Sequence, residues 1–283
     1  MQYRTIEHAS VPFLKQYVQN IYVLKNLGTE FIYACVPNGK IGISIILHGE
    51  AHINVDGVWQ RQAPVSIYGL VKKVQFHKMS MGYHEVNIGF TPHYLQLFLQ
   101  DRLSALEERN ATDLNYLFRK SSVENLFENL FCCNTDAQIL NSIDFFLRRH
   151  LSNEKVDPRI SMAHKLIIEQ QVLKIEDICS SLCISSTGLR NLFREKVGIS
   201  PKDLVKITRI KKALEYKITD DETLTTLAYQ LNYYDQAHFI HDFKEATELT
   251  PKQYFLNQRL AFDFYNYGRW SYDSFAEKNN SAI

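Results

Sequence analysis

The C-terminal part of the chain contains one short sequence pattern twice, with the two copies fifty positions apart. The first copy consists of Leu189, Phe193, Arg194, Gly198, Ser200 and Pro201. The second copy consists of Phe239, Phe243, Lys244, Glu248, Thr250 and Pro251. A short apolar pair precedes each copy, Ile178-Cys179 in the first and Leu227-Ala228 in the second. A short helix, a sharp turn and a second helix therefore recur, which predicts two helix-turn-helix units in one chain.

The length and composition of the chain fit a folded protein of two domains. Its 283 residues are enough for two cores of ordinary size. Hydrophobic residues make up 45% of the chain and charged residues 22%, unlike a disordered protein. The sequence contains no apolar segment of membrane-spanning length and no N-terminal signal pattern, so we expect no membrane and a cytoplasmic location. The five cysteines have no disulfide spacing, which agrees with reduced thiols.

Residues 1–95 have the composition of β-strands. Strands are predicted where β-branched and aromatic residues are frequent, at 20–24, 30–36, 40–47, 51–55, 65–68, 73–77 and 86–90. Turn signals such as Pro37-Asn38-Gly39 and Asp56-Gly57 separate them. This spacing predicts an antiparallel barrel or sandwich. From Pro92 the apolar period becomes helical, which predicts a helical linker or dimerisation segment over residues 96–155.

A second, all-helical domain is predicted for residues 156–257. Asp157 as N-cap and Pro158 as the first helical residue provide its start signal. Helices are predicted at 176–182, 185–197, 201–217, 223–231 and 236–246. The last segment, residues 258–283, is expected to be a tail that packs on the rest of the protein because it is rich in aromatic residues. These are Phe262, Phe264, Tyr265, Tyr267, Trp270, Tyr272 and Phe275.

Residues at characteristic spacings between 157 and 255 carry a resemblance to a known family. They are Ile178-Cys179, Leu182 to Ser185, Leu189, Phe193-Arg194, Gly198 to Pro201, Arg209, Ala213-Leu214, Leu227-Ala228, Phe239, Phe243-Lys244, Thr250-Pro251 and Tyr254. With them the stretch resembles the DNA-binding domain of AraC/XylS-type transcription regulators. The N-terminal part is similar, on fewer residues, to the cupin-like sensor domains of such regulators. The resemblance implies an α+β protein with an N-terminal antiparallel, cupin-like β-barrel plus helices, followed by an all-α domain with two helix-turn-helix units.

The resemblance also implies a function. The protein is expected to be a sequence-specific transcription regulator and not an enzyme, with two recognition helices in adjacent major-groove segments of double-stranded promoter DNA. An unknown small-molecule effector would act through the β-domain, and RNA polymerase would be a partner of an activator. A homodimer is compatible with the helical segment, and no cofactor and no metal are expected. DNA binding would place the protein at the nucleoid.

Three turn positions depart from the residue that the family prefers. The sharp turn of each unit usually contains Gly, but this chain has Cys183 in the first unit and Asn232 in the second. The later turn keeps Gly198 in the first copy and has Glu248 in the second. A left-handed backbone suits Gly best and Asn better than other residues. We therefore expect the fold to be retained and the turns to be the altered feature.

The first recognition helix is predicted to have an inward face of Leu189, Leu192 and Phe193. Its predicted base-contacting residues are Ser186, Thr187, Arg190 and Asn191. Arg190 is suited to guanine O6 and N7, and Asn191 to adenine. The resemblance also assigns Thr187, Arg190 and Asn191 to base-contacting positions. The alternative is an ordinary solvated helix face.

In the second recognition helix Phe239 and Phe243 are predicted to point inward, and the base-contacting residues are predicted to be Gln236, His238 and His241. Phosphate contacts over both units are predicted for Arg194, Lys202, Lys206, Lys211, Lys212 and Lys244. Arg209 is alternatively a bridge between the two units. Residues 185–217 contain nine basic and three acidic side chains, whereas residues 218–257 contain two basic and seven acidic ones. The first unit is therefore expected to supply most of the DNA affinity.

Two other classes of function stay open. A cupin-like barrel could be a metal-dependent enzyme, but the sequence lacks a close His-x-His pair among its four candidate ligands, which are His48, His52, His77 and His84. A ligand-binding or interaction protein that has lost DNA specificity would explain the acidic second unit. Tyr33, His48 and Tyr68 are guesses for an effector pocket, with ordinary core packing as the alternative.

Overall fold

The computed structural model describes residues 2–37, 39, 41–99, 112–216, 223–260 and 269–271. The predicted aromatic tail lies outside these residues except for 258–260 and 269–271, and the acidic run 220–222 also lies outside them. Among the described residues, no helix combines the length and the apolar character that a bilayer span requires.

The described strands form two antiparallel sheets. Their bounds are β1 Gln2–Ile6, β2 Val18–Asn26, β3 Phe31–Cys35, β4 Ile41–His48, β5 Ala51–Val55, β6 Val58–Arg61, β7 Val65–Tyr68, β8 Gln75–Met79, β9 Tyr83–Phe90, β10 Thr112–Asp113 and β11 Arg269–Ser271. The first sheet has the order β1-β2-β9-β4-β7-β10, and the second has the order β11-β3-β8-β5-β6. The α+β class is confirmed. The strand spacing predicted an antiparallel barrel or sandwich, and the described strands form two sheets.

The first sheet has one apolar and one partly polar face because successive side chains of a strand alternate. Ile43 and Ile45 of β4 and Val86 and Ile88 of β9 are buried in one large apolar cluster, which also contains side chains from helices. The residues between them point to the other face, where a second cluster joins the two sheets through Tyr22, Leu24, Ile46, Tyr33, Ala51, Met79 and Tyr83. The first sheet is therefore the middle layer between helices and the second sheet.

The helices follow from the signals that begin and end them. Their bounds are α1 Pro12–Tyr17, α2 Gln96–Leu99, α3 Lys120–Phe131, α4 Asp136–His150, α5 Pro158–His164, α6 Ile175–Ser181, α7 Ser186–Lys196, α8 Pro201–Glu215, α9 Leu224–Gln230, α10 Gln236–Thr247 and α11 Pro251–Leu260. A π-helical turn, Lys165–Glu169, continues α5. Side chains of Asp157, Ser185, Ser200, Thr223 and Asp235 accept the N-cap hydrogen bonds of their helices.

The N-terminal sheets pack directly on the helices that follow. The largest apolar cluster is continuous in space and contains buried residues of both parts, among them Ile6 of β1 and Ile207 of α8. A third cluster, distinct from the one between the two sheets, combines Val36 and Val74 of the N-terminal part with side chains of α8 and α10. The backbone N–H of Val74 donates to the carbonyl of Ala246 at 2.7 Å, and the Lys72 ammonium lies 2.9 Å from an Asp203 carboxylate oxygen. Both helix-turn-helix units therefore pack against the N-terminal part of the protein.

Two histidines meet where the N-terminal part joins α5. The rings of His93 and His164 have centroids 4.7 Å apart, and His93 is buried. Burial lowers the pKa of His93 to about 3, and the neighbouring His164 adds to the effect. Burial also lowers the pKa of His164. Both rings are therefore neutral in the folded protein at pH 7.

We expect the free energy of unfolding to fall as the pH is lowered below 6.5. The unfolded chain binds a proton at His93 near its ordinary pKa of 6.5, whereas the folded protein does not bind one until about pH 3. His93 alone should remove about 1.4 kcal/mol of stability per pH unit within that window. Urea midpoints at pH 7 and pH 5 measure the change. The variant His93→Gln should show a weaker pH dependence, and an unchanged dependence would contradict this assignment.

Candidate nucleic-acid interface

The first helix-turn-helix unit consists of α6 and α7 joined by a sharp turn. Cys183 in this turn has a φ of 50°, the left-handed conformation that the family's Gly would supply. The Ser185 hydroxyl then accepts from the Gly188 backbone N–H at 3.1 Å and begins α7. Leu189 and Phe193 of α7 are buried, as predicted, and fix which side of the helix faces the core. The departure at Cys183 therefore leaves the motif intact.

The outer face of α7 carries the predicted contact residues. Ser186, Thr187, Arg190, Asn191 and Arg194 are all exposed. The first four lie in the N-terminal two turns of the helix, the part of a recognition helix that contacts base edges. Arg194 follows Arg190 by one turn on the same side. This face can present two guanidiniums, an amide and two hydroxyls to a major groove.

The second unit repeats this geometry with α9 and α10. Asn232 in its turn has a φ of 59°, and the Asp235 carboxylate accepts from the backbone N–H of His238 at 2.7 Å. Phe239 and Phe243 are fully buried, as predicted. The repeat seen in the sequence is therefore a repeat in three dimensions.

The predicted contact residues of α10 differ in their exposure, unlike those of α7. His238 and His241 are exposed, whereas Gln236 is partly covered. The Thr225 hydroxyl of α9 donates to the Gln236 Oε1 at 2.7 Å, so this contact uses the acceptor of the Gln236 amide and not its donor. Thr225 was not predicted from the sequence, because its contact depends on the packing of α9 against α10.

Asp242 is the centre of a charged cluster on the inner side of α10. It is 8% exposed, and the Lys206 ammonium of α8 lies 2.9 Å from its Oδ1 and 2.7 Å from a Glu245 oxygen. Burial opposes the charge on Lys206, but its hydrogen bonds to Glu245 and Asp242 outweigh burial and raise the pKa of the ammonium. The hydrogen bond from Lys206 also lowers the pKa of Glu245. These ion pairs fix α10 against the connector helix α8.

The two histidines of α10 lie next to this charged cluster. His238 Nε2 and His241 Nδ1 lie 3.6 and 3.7 Å from the two Asp242 oxygens. Ligand atoms of His241, Asp242 and Glu245 lie within 4.8 Å of one another, a grouping that was not predicted from the sequence. The spacing of His241 and Glu245, one helical turn apart, was the signal in the sequence. Because Lys206 already pairs with both carboxylates, the cluster has its counter-charge within the protein.

Residues 159–257 match a family described as a helix-turn-helix domain. Residues 159–257 form an AraC-type helix-turn-helix domain. The resemblance read from the sequence is thereby confirmed for this part of the chain.

Individual relatives of the AraC-type domain are distant. A protein of Haemophilus influenzae described as an HTH-type transcriptional regulator is 24% identical over 183 residues, which is 61% of this chain and 55% of that protein. The lactose operon transcription activator of Staphylococcus xylosus is 26% identical over 85 residues, 30% of each protein. The chain thus spans about half, or less, of the length of these relatives. A crystal structure of apo ToxT from Vibrio cholerae covers 84% of this chain and 96% of its own, with 17% identity and a TM-score of 0.42.

The predicted phosphate contacts of the AraC-type domain differ in their surroundings. Arg194, Lys202 and Lys244 are exposed. Lys206 is held by Asp242 and Glu245, Lys211 lies 3.9 Å from Glu215, and Lys212 donates to Gln171. Among the six predicted phosphate contacts, the three exposed residues can reach a ligand without releasing one of these partners.

Arg209 links the two units of the AraC-type domain. Its guanidinium donates to the Leu173 carbonyl at 2.8 Å and lies 4.9 Å from the centroid of the Tyr233 ring. Leu173 precedes α6 of the first unit, whereas Tyr233 lies in the turn of the second. The contact joins the units through α8 and constrains the angle between their recognition helices.

The later turns of the AraC-type domain give a stability prediction. Gly198 and Glu248 occupy equivalent positions with φ values of 80° and 62°. Because a left-handed backbone strains a side chain, Glu248→Gly should stabilise the protein by about 0.5–1 kcal/mol. Gly198→Ala should destabilise it by at least about 1 kcal/mol. Urea midpoints of the two variants should therefore move in opposite directions, and a shift of both in the same direction would contradict this reading.

The three residues guessed for an effector pocket have different neighbours. Tyr33 is buried between the sheets, and its ring stacks on His77 with centroids 5.2 Å apart. The Tyr68 hydroxyl donates to Asn87 Oδ1 at 2.7 Å. His48 is exposed at the end of β4, where its ring lies 5.1 Å from that of Phe131. The structure therefore does not bring the three together as one group.

Proposed function

We propose that this protein is a transcription regulator that binds double-stranded promoter DNA through α7 and α10. The observation that carries the proposal is the repeated geometry of the two units, in which a capped recognition helix buries two large apolar side chains and leaves its opposite face exposed. A helix of this kind fits the major groove of B-DNA, and two of them in one chain can contact adjacent groove segments.

We further propose that the first unit reads bases through Ser186, Thr187, Arg190 and Asn191, and that the second unit contributes Gln236, His238 and His241. Arg194, Lys202 and Lys244 would contact phosphates. Lys211 and Lys212 would do so after leaving their partners. Lys206 is the weakest member of this predicted set because its ammonium is used inside the protein.

The N-terminal domain is proposed to sense a small polar effector between the two sheets. Ser44, Ser66, Glu85 and Asn87 are buried on the face of the first sheet that meets the second sheet. Asn87 donates to Glu85 at 3.0 Å, and Gln62 donates to Ser66 at 2.8 Å. Tyr68 belongs to this polar group, Tyr33 lies in the adjacent apolar cluster, and His48 is outside both. A buried polar face of this kind supports a pocket better than the three guessed residues did.

The four-part division of the chain, self-association through residues 96–155 and contact with RNA polymerase remain parts of the proposal. A regulator needs no chemistry of its own, and we propose none. The acidic side chains around α10 favour a second candidate, a ligand-responsive interaction protein with weak DNA specificity. The dependence of DNA affinity on base sequence separates the two functions.

The variants Arg190→Ala and Arg194→Ala test the proposal as a pair on one helix. Arg190→Ala should lose about 1–3 kcal/mol of discrimination at one base pair, because a bidentate contact to guanine is removed. Arg194→Ala should weaken binding to all sequences alike and lower the salt slope by about 0.9. Fluorescence anisotropy with labelled duplexes at two salt concentrations measures both effects. Unchanged discrimination at every position in Arg190→Ala would remove its assigned role.

A further inference from the structure

The two recognition helices can be aligned residue by residue from their own geometry. Ser185 and Asp235 are the N-caps, and each accepts from the backbone N–H three residues later. The buried pairs Leu189 and Phe193 in α7 and Phe239 and Phe243 in α10 follow at equal distances from these caps. An offset of fifty positions therefore places each residue of α7 at the same helical phase as one of α10.

This alignment changes which residues of α10 occupy the reading positions. Arg190 corresponds to Ile240, and Thr187 corresponds to Ala237. Ala237 is exposed and Ile240 is partly exposed. Among the described residues, neither belongs to the apolar clusters of the core. The second unit thus presents two apolar side chains where the first presents a guanidinium and a hydroxyl.

The chemistry of the major groove offers one apolar partner for such side chains. All four bases display hydrogen-bonding groups there. Thymine differs from the others because it also displays a methyl group, at C5. An isoleucine placed against a guanine edge would displace water from two hydrogen-bond acceptors and could not replace the lost hydrogen bonds. Against a thymine methyl, the same side chain buries apolar surface on both sides.

We propose that Ala237 and Ile240 read thymine methyl groups in the half-site of the second unit. The inference rests on the proposed DNA-binding function and gives the second unit a chemistry of its own, contact with methyl groups instead of hydrogen bonding by Arg. It also explains how a unit with few cations can contribute to sequence specificity. The first unit supplies attraction to phosphates, and the second supplies a preference for thymine.

Removing only the methyl group tests the proposal. A duplex bound by the full-length protein is first selected from random DNA, and each dT of the second half-site is then replaced singly by dU. Affinity should fall about 4-fold at one or two positions, which corresponds to one buried methyl group. In Ile240→Ala the fall at the position that Ile240 contacts should disappear, whereas Ile240→Val should retain most of it. Replacement of dT by dU in the first half-site is the matched control and should have no dependence on residue 240.

The outcomes are distinguishable. Binding of a selected duplex that is unchanged by every dU replacement overturns the methyl proposal and leaves DNA binding in place. Sensitivity to dU that persists in Ile240→Ala overturns the role of Ile240. A failure to select any duplex overturns the proposed function itself, and with it this inference.

Discussion

The variant Phe243→Ala is expected to lower the free energy of unfolding by about 3–5 kcal/mol, the range for removing a large buried aromatic side chain. Phe243 is fully buried in α10, and its ring centroid lies 5.7 Å from that of Phe239 and 5.2 Å from that of Tyr254. The same cluster includes Val36 and Val74 of the N-terminal part. Truncation therefore leaves a cavity where α10, α11 and the sheets meet.

Urea unfolding of the full-length protein measures this effect. Tyr234→Ala is the matched control, because Tyr234 is an aromatic residue of the same unit that is 87% exposed. We expect a change within about 0.5 kcal/mol for the control. Similar midpoints for the two variants would show that Phe243 is not part of a packed core.

The second large effect is expected for Asp242→Ala, which should destabilise the protein by about 2–3 kcal/mol. Asp242 is nearly buried, and its loss would leave the Lys206 ammonium with Glu245 as its remaining carboxylate partner. Removing one member of a buried ion pair is strongly destabilising, and the partial exposure of Lys206 reduces the effect here. The orientation of α10 relative to α8 should loosen at the same time.

Glu245→Gln is the control for Asp242→Ala, since Glu245 is the more exposed of the two partners of Lys206. It should cost less than about 1 kcal/mol. The two variants also separate stability from recognition, because DNA affinity measured well below the unfolding temperature should fall more for Asp242→Ala. Equal destabilisation by both variants would contradict the central position of Asp242.

The C-terminal helices could be predicted from the sequence because their signals are local. Ser185 and Asp235 begin α7 and α10, and the apolar period fixes the buried side of each helix. The turn residues Cys183 and Asn232 adopt the left-handed backbone that the motif requires, although neither is Gly. The sequence therefore allowed prediction of both the motif and the outward face of α7.

The N-terminal part was less predictable for physical reasons. The strand β1 contains polar residues and pairs only at the edge of the first sheet, and β6 is a largely exposed edge strand, so neither has a clear apolar alternation. Strand composition also does not decide between one barrel and two sheets, because the closure of a barrel depends on long-range register.

Two contacts of the candidate site that were missed are tertiary. Thr225 meets Gln236 through the packing of two helices, and Lys206 meets Asp242 across 36 positions of sequence. No local pattern encodes such pairs. The alignment of Arg190 with Ile240 was present in the sequence repeat, but the N-cap hydrogen bonds were needed to fix its phase.

Selection of bound sequences from random duplex DNA with the full-length protein, repeated at two salt concentrations, shows whether α7 and α10 read bases. We expect an enriched motif with two clusters about one helical turn apart, the cluster of the first unit containing guanine and that of the second containing thymine. Affinity for this motif should fall with salt, but its preference over other sequences should remain. Recovery of no enriched motif would contradict sequence-specific reading by α7 and α10.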